Sequence, residues 1–532
     1  MNLLKLSQAH DLIQTKSPLF IVCDHPIAAS AFARSYVDTF KDRYSHIYYL
    51  SYTGEFKTDL IIRKGPTDDP DDAAMDLFNK HYDVIRGFEK DSLVIVDGFF
   101  DQSPKDDPFF KEFIRNKARI LITSNLPVEK YNQLLLSPDE CKSPEAETIW
   151  QELSDEEQSL LRNLLLLPTY GIPEMGIRYF LSLPDSTSLE AMEKKKVLCI
   201  DDTNTASSHG RQFYINPKYA VNFYDLAKPS VTNCSVLLHT LHRICLAPGL
   251  NKQKPVDTIL AMIAVVRHVK NDNPMDYVLF LQDLFPYLDK YMIASFLGRL
   301  TDMISQLMEE NKMDSPCDKA LLLNYKAELF VMKRDLDNGL KKMQKAISIM
   351  EKEHTKDADN RTIHLLVNTY NNQSNLLMQM KKGPEAIRSL RNAFDIRLEY
   401  AALGHVDTRA MMQQIMNLIS MLILNQDTNQ AEEVLAIYEN FVLQHAGEDS
   451  VDYAVSLLAQ GIYTLSVGNP RVSEMNLLRA EGLLSEQVGP YHEFTMTAYQ
   501  YLSVLYDNWQ RPELAKEYQD KLQEAIQNNS NH

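Results

Sequence analysis

The sequence predicts a multidomain chain, a parallel α/β sandwich at the amino end followed by an α-solenoid. Short apolar strands alternate with helices over the first 150 residues, and alternation of that kind implies parallel strands joined by helical crossovers. A compact segment of helices and one hairpin comes next. The last half then repeats every 43 and 42 residues with two helices per unit, which is the signature of a solenoid. At 532 residues the chain exceeds one ordinary core, and the boundaries fall at 1–150, 151–230, 231–315 and 316–532.

Composition narrows the function classes. Apolar residues make up 45% of the chain and charged residues 24%, the balance of a globular protein. Apolar runs such as Leu164–Leu167 and Ile259–Val266 are far too short to span a membrane. The first ten residues carry Lys5 and His10 and no continuous apolar stretch, which argues against a secretory signal. The six cysteines are scattered without a CxxC pair, a pattern that fits a reducing cytoplasm and no zinc site. A net charge of −17 disfavours generic binding to nucleic acid or anionic membrane.

In the first domain the strands are expected at Leu19–Cys23, His46–Ser51, Ser92–Asp97 and Ala118–Ser124, with helices over 27–43, 73–89 and 107–116. Strand Leu19–Val22 runs into Cys23-Asp24-His25-Pro26-Ile27-Ala28-Ala29-Ser30. A phosphate-binding loop at this place would be glycine-rich and end in Gly-Lys-Ser/Thr. Its expected Gly, Gly, Gly and Lys are here Cys23, Pro26, Ala28 and Ala29, and only Ser30 survives. Pro66-Thr67-Asp68-Asp69-Pro70-Asp71-Asp72 is read as a solvated loop and helix cap in preference to a metal site.

The second domain opens with Ser154-Asp155-Glu156-Glu157, a capping-box start with the apolar face Leu160, Leu161, Leu164 and Leu165 behind it. A helix after Pro173 and another over Leu189–Lys195 precede a hairpin of Val197–Asp201 and Arg211–Ile215. Three helices and a hairpin in that order describe a winged helix. From 230 onward no strand is needed. Residues 256–312 are helical but out of register with the repeats beyond them, a connector or cap. Gly404, Gly447 and Gly489 begin successive repeats, and Ala386, Ala431, Glu474 and Ala515 open their second helices. A looser unit spans 317–353.

The strand and altered loop at 19–30, Leu93-Val94-Ile95-Val96-Asp97 and Arg119-Ile120-Leu121-Ile122-Thr123-Ser124, with the winged helix behind them, resemble the STAND class of P-loop NTPases, of the NB-ARC/AP-ATPase type. The repeats resemble tetratricopeptide repeats of the longer, kinesin-light-chain-like type. The resemblance implies an ATP or ADP site in which loop amides and a lysine hold the β- and γ-phosphates. Ala29 cannot neutralise them and Pro26 has no amide to offer. Asp97 falls at the magnesium position, but the second acid is Gly98 and the sensor arginine is Asn125. Ser30, Asp97 and Ser124 remain as residues that could touch a nucleotide. Phosphoryl transfer rests on positioning and charge neutralisation, so these joint absences predict a protein that is not an enzyme.

Other chemistry is sparse. Cys23 beside His25 could be a reactive thiol, but no nearby cation favours its thiolate. His239 and His242 share a helical face, and His268 lies in a further helix; no metal-ligand spacing joins the three. The winged helix could present Lys194, Lys195, Lys196, His209 and Arg211 to DNA. In the repeats, Asn372, Asn417, Gln460 and Tyr501 each precede a second-helix position by 14 residues. They either grip a peptide backbone or bond neighbouring helices within the stack. Met378, Met380, Met411, Met412, Met416 and Met421 add adaptable apolar surface. The expected function is a non-catalytic signalling or scaffold protein that binds a protein or peptide through its solenoid, with no cofactor. The alternatives are an ATP/ADP-binding switch without efficient hydrolysis and a winged-helix transcriptional regulator.

Overall fold

The computed structural model describes residues 3–62, 74–100, 107–168, 171–201, 211–246, 255–268, 274–289, 294–353, 360–402 and 408–530. It divides into two compact units, Met1–Met313 and Asp314–His532. The acidic segment Pro66–Asp72, His209 and the loop holding Gly404 lie outside the described residues.

In the first unit β1 (Leu19–Val22), β2 (His46–Ser51), β3 (Ser92–Asp97), β4 (Arg119–Ser124) and β5 (Asn132–Leu135) form one sheet. Its order is β2-β3-β4-β1-β5, and every pair is parallel. Helices α1 (Leu3–Thr15), α2 (Ala28–Phe40), α3 (Phe56–Ile62), α4 (Ala74–Arg86) and α5 (Phe110–Phe113) cover it. A parallel sheet is covered on both faces, so its strands are continuous apolar runs, and Leu93 through Val96 are fully buried. On one face Phe20, Val22, Val94, Val96, Ile120 and Ile122 meet an aromatic cluster in which Phe56 stacks on Phe113 at 4.1 Å. The four expected strands form with ends shifted by at most one residue. The helix expected over 107–116 contracts to the single turn α5. The edge strand β5 is the element the sequence hides, because Asn132-Gln133-Leu134-Leu135 lacks both β-branching and alternation.

The first unit continues with α6 (Ala146–Gln151), α7 (Asp155–Leu164), β6 (Ile172–Pro173), α8 (Glu174–Phe180), α9 (Thr187–Lys194), β7 (Leu198–Asp201), β8 (Gln212–Ile215) and α10 (Ala220–Ala227). The three strands form an antiparallel sheet in the order β6-β8-β7. Ser154 caps α7 as its sequence requires: Glu157 N donates to Ser154 Oγ at 3.2 Å, and Ser154 N donates to Glu157 Oε2 at 2.8 Å. Helices α11 (Ser235–Leu246), α12 (Pro255–His268), α13 (Pro274–Asp289) and α14 (Ala294–Glu310) complete the unit. Among the described residues no helix is long and apolar enough to cross a membrane.

The second unit is five helix pairs: α15 (Pro316–Met332) with α16 (Leu336–Glu353), α17 (Asn360–Gln379) with α18 (Gly383–Ala402), α19 (Thr408–Leu424) with α20 (Thr428–His445), α21 (Val451–Ser466) with α22 (Pro470–Gln487), and α23 (Glu493–Asn508) with α24 (Pro512–Ser530). The recurring glycines have a backbone cause. Gly447 and Gly489 sit at φ 85° and 93°, just past the ends of α20 and α22, where a left-handed residue closes the helix. Small residues let each pair close: Ala386, Ala431 and Ala515 are buried as expected. In the fourth pair the buried small residue is Ser473, not Glu474, and its Oγ donates to the Gly461 carbonyl at 2.8 Å. The repeat register there is one residue earlier than the sequence reading placed it.

A Cβ on Gly461 would lie 2.7 Å from Leu477 Cγ and Cδ2 and 3.3 Å from the Leu477 backbone nitrogen. Gly461→Val is therefore expected to lower the stability of the second unit by about 1–3 kcal/mol through overpacking. Gly482→Ala, where a Cβ meets nothing within 4 Å, is expected to raise it by about 0.5–1 kcal/mol. Urea unfolding followed by circular dichroism checks both signs.

Candidate functional site

The carboxyl edge of the parallel sheet gathers the residues that the sequence reading marked for a nucleotide. Cys23 N donates to the Ser124 carbonyl at 3.0 Å, which fixes the 23–27 loop between β1 and β4. Ser30, on the first turn of α2, donates through Oγ to Asp97 Oδ1 at 2.5 Å. Thr123 Oγ1 donates to the same oxygen at 2.7 Å and accepts from Gly98 N at 2.8 Å. Ser30 and Asp97 thus come together as expected. Ser124 does not join them: its hydroxyl donates to the Leu126 carbonyl at 2.8 Å and accepts from Leu126 N, closing a turn. Strand alternation explains the swap, since neighbouring residues of β4 point to opposite faces and Thr123 is the one aimed at Asp97.

The surroundings of this pair are polar on the sheet side and apolar opposite it. A cleft of about 410 Å³, part of it open to solvent, is lined by Ser30, Asp97 and Gly98 on one side and by Leu260, Ile263 and Ala264 of α12 on another. Among the described residues that line it there is neither lysine nor arginine. Ala28 and Ala29, at the start of α2, have no exposed surface. Helix amides that would serve an anion lie under protein instead of facing solvent.

Helix α10 closes the loop from another direction. His25 Nε2 meets Asp225 Oδ1 at 3.1 Å, and the ring stands edge-on to Tyr224 at 5.4 Å. Burial holds the His25 imidazole below its ordinary pKa, with Asp225 pulling the other way. A neutral ring satisfies both contacts, donating from Nε2 to Asp225 and accepting at Nδ1 from Ile27 N at 3.4 Å. Burial also pushes the Cys23 thiol up, so this cysteine has the character of a passive core residue.

Arg34, four residues after Ser30, is 5% exposed. Its Nη2 donates to Asp201 Oδ2 of β7 at 2.9 Å, its Nε lies 3.3 Å from Asp38 Oδ1, and its guanidinium lies 3.8 Å from the centre of the Tyr214 ring. Burial opposes its charge, but the flanking tyrosines and carboxylates hold its pKa above the ordinary arginine value. Beside it a largely apolar cleft of about 520 Å³, part of it open to solvent, lies among Ile27, Ala31, Leu165, Ile177 and Phe213. The sequence offered only the i,i+4 spacing of Arg34 and Asp38 as a signal; nothing in it joins residue 34 to 201.

Two of the five cations considered for DNA are engaged. Lys195 Nζ pairs with Glu157 at 2.7 Å, and Arg211 pairs with both Glu174 and Glu190 at 3.0 and 2.9 Å. His242 Nδ1 pairs with Asp283 at 2.8 Å.

In the solenoid the four marked positions diverge. Asn372 and Asn417 are exposed, and Asn372 Nδ2 donates to Glu328 Oε1 of α15 at 2.9 Å. Asn372 thus bonds a neighbouring helix while still facing solvent. Tyr501 is half-buried and packs against the solenoid core. Gln460 is half-buried and falls outside the series, because the register set by Ser473 puts buried Ala459 at the equivalent place. Met411 is core, and Met416 and Met421 pack against core, whereas Met378 is 37% exposed.

No known family profile and no curated protein matches the chain. Among solved structures it is similar to a Signal Transduction ATPase with Numerous Domains (STAND) protein with a tetratricopeptide repeat sensor from Pyrococcus horikoshii, at 12% identity and TM-score 0.36, covering 98% of this chain and 96% of that one. It is similar to BtubC (BKLC) from P. vanneervenii at 15% identity and TM-score 0.35, covering 45% of this chain and 91% of that one. It is also similar to the apo form of the quorum sensor NprR from B. thuringiensis at 15% identity and TM-score 0.28, covering 56% and 76% of the two chains.

Proposed function

We propose that this is a non-catalytic signalling or scaffold protein of the cytoplasm that binds a protein or peptide through its helical-repeat unit. Its α/β head and winged-helix-like segment act as architecture. The observation that carries this reading is the environment of Asp97: its Oδ1 accepts two hydroxyls, and the described residues that line the cleft around it, Leu260, Ile263 and Ala264 among them, include no cation. A triphosphate brought there would lose its hydration and gain neither lysine nor arginine, a cost that burial of unpaired charge makes prohibitive.

A nucleotide present at 100 times its Kd would stabilise the folded chain by about 2.7 kcal/mol. The expected result is an unchanged melting temperature with millimolar ATP or ADP and magnesium. A saturable rise would replace this reading with that of a nucleotide-binding switch. The transcriptional-regulator reading is the weaker alternative, since Lys195 and Arg211 are already paired with carboxylates.

A further inference from the structure

We infer that the Asp97 cleft takes a small primary amine in its protonated form, with the ammonium on Asp97 and an apolar body against α12. This rests on the reading of the cleft as one without phosphate chemistry, and it gives the head a ligand of its own.

Hydrogen-bond direction sets the sign of the ligand. Ser30 Oγ and Thr123 Oγ1 both spend their hydrogens on Asp97 Oδ1, at 2.5 and 2.7 Å. Gly98 N, a donor that would suit an anion, is spent on Thr123 Oγ1 at 2.8 Å. What the hydroxyls and the carboxylate present to a ligand is lone pairs. Ser51 stands with them: it is the register partner of Asp97 across β2 and β3, and register partners share a face of the sheet. Asp97, Ser30 and Ser51 all line one cleft of about 410 Å³. An alkylammonium carries three donors and no acceptor, the complement of that set.

Charge in the surroundings has the same sign. Arg34 is held by Asp38 and Asp201. Arg299 Nη2 donates to the Thr53 carbonyl at 2.7 Å, while Asp59 accepts from Thr53 N and Asp107 from the Tyr52 hydroxyl. Neither guanidinium group belongs to a residue that lines this cleft. Beside these two cations and four carboxylates, Asp97 adds a further negative charge, which favours a cationic ligand and opposes an anionic one.

The opposite wall chooses among cations. Leu260, Ile263 and Ala264 of α12 favour a hydrocarbon over water and offer nothing to coordinate a metal ion. Among the described residues no group of three metal-ligating side chains occurs. An amine with an alkyl or aryl body satisfies both walls at once, and a hydrated inorganic cation satisfies one.

The test is isothermal titration calorimetry of the full-length chain at neutral pH with butylamine, hexylamine, 1-hexanol, hexanoate and ATP. The expected result is saturable binding of hexylamine, tighter than butylamine by at least twofold per added methylene. Hexanol and hexanoate should bind at least tenfold more weakly. Asp97→Asn keeps the volume and an acceptor oxygen for Ser30 and Thr123, and should weaken hexylamine at least tenfold. Leu260→Ser approaches the site from the other wall and should flatten the chain-length dependence, which keeps the test sharp if Asp97→Asn does not fold. Absence of hexylamine binding with ATP also silent overturns this inference alone. Binding that both variants leave unchanged, or that hexanoate matches, overturns it as well. ATP that binds and displaces hexylamine overturns instead the reading of the cleft as one without phosphate chemistry.

Discussion

Replacing Arg34 with alanine is expected to lower the stability of the first unit by about 3–5 kcal/mol, the loss typical of breaking a buried ion pair from one side. The side chain joins α2 to the small antiparallel sheet through Asp201 and Tyr214 while also meeting Asp38. Without it the Asp38 and Asp201 carboxylates lose their closest counter-charge, and Lys41 acts only on Asp38 from further off. Lysine should restore little, because a point charge cannot reach Asp201, Asp38 and the ring face together. The pH dependence has a definite sign. Burial already raises the Asp38 carboxyl above its ordinary value, against the pull of Arg34. Removing the guanidinium lifts it further, so the folded variant gains relative stability as pH falls and Asp38 protonates. The deficit between Arg34→Ala and the parent should therefore be widest near neutrality and narrow towards the acid carboxylate range. Urea unfolding across that range reads it; a deficit that widens on acidification would refute the assignment.

The second large effect is expected at Asp107, which is 2% exposed. Its Oδ2 accepts from Phe56 N at 2.8 Å and lies 2.9 Å from the Tyr52 hydroxyl, and its Oδ1 accepts from Phe109 N at 2.9 Å. One carboxylate thus ties the start of α3 and the turn before α5 to the end of β2. Asp107→Ala leaves buried donors without acceptors and should cost about 3–5 kcal/mol, since each orphaned donor costs about 1–3 kcal/mol. Asp107→Asn keeps the volume but turns an amide NH₂ towards donors, so it should recover less than half of the loss. Full recovery by asparagine would show that volume, not acceptance, matters there.

Much of the architecture was legible because it rests on local pattern. Buried parallel strands leave runs such as Leu93–Val96, and the repeat leaves Gly447 and Gly489 where the chain must turn left-handed. What stayed hidden depends on contacts between distant residues. Thr123 displaces Ser124 at the candidate site through strand facing, and α12 supplies Leu260 and Ile263 from far along the chain. Asp107 and Arg34 carry no pattern that names their partners. Gln460 was misplaced by one residue because Ser473 and Glu474 are both plausible small or polar positions in a linear reading, and only the contact with Gly461 separates them.

The fully buried Ala29 also bears on how far this head stands from holding a phosphate. A lysine at that position would have to force three further methylenes and an ammonium into occupied space. Pro26 would still lack its amide, and Leu260 and Ile263 would still line the Asp97 cleft. Each single substitution therefore leaves the other obstacles in place. Packing around one small side chain thus sets how many coordinated changes separate this head from a phosphate site.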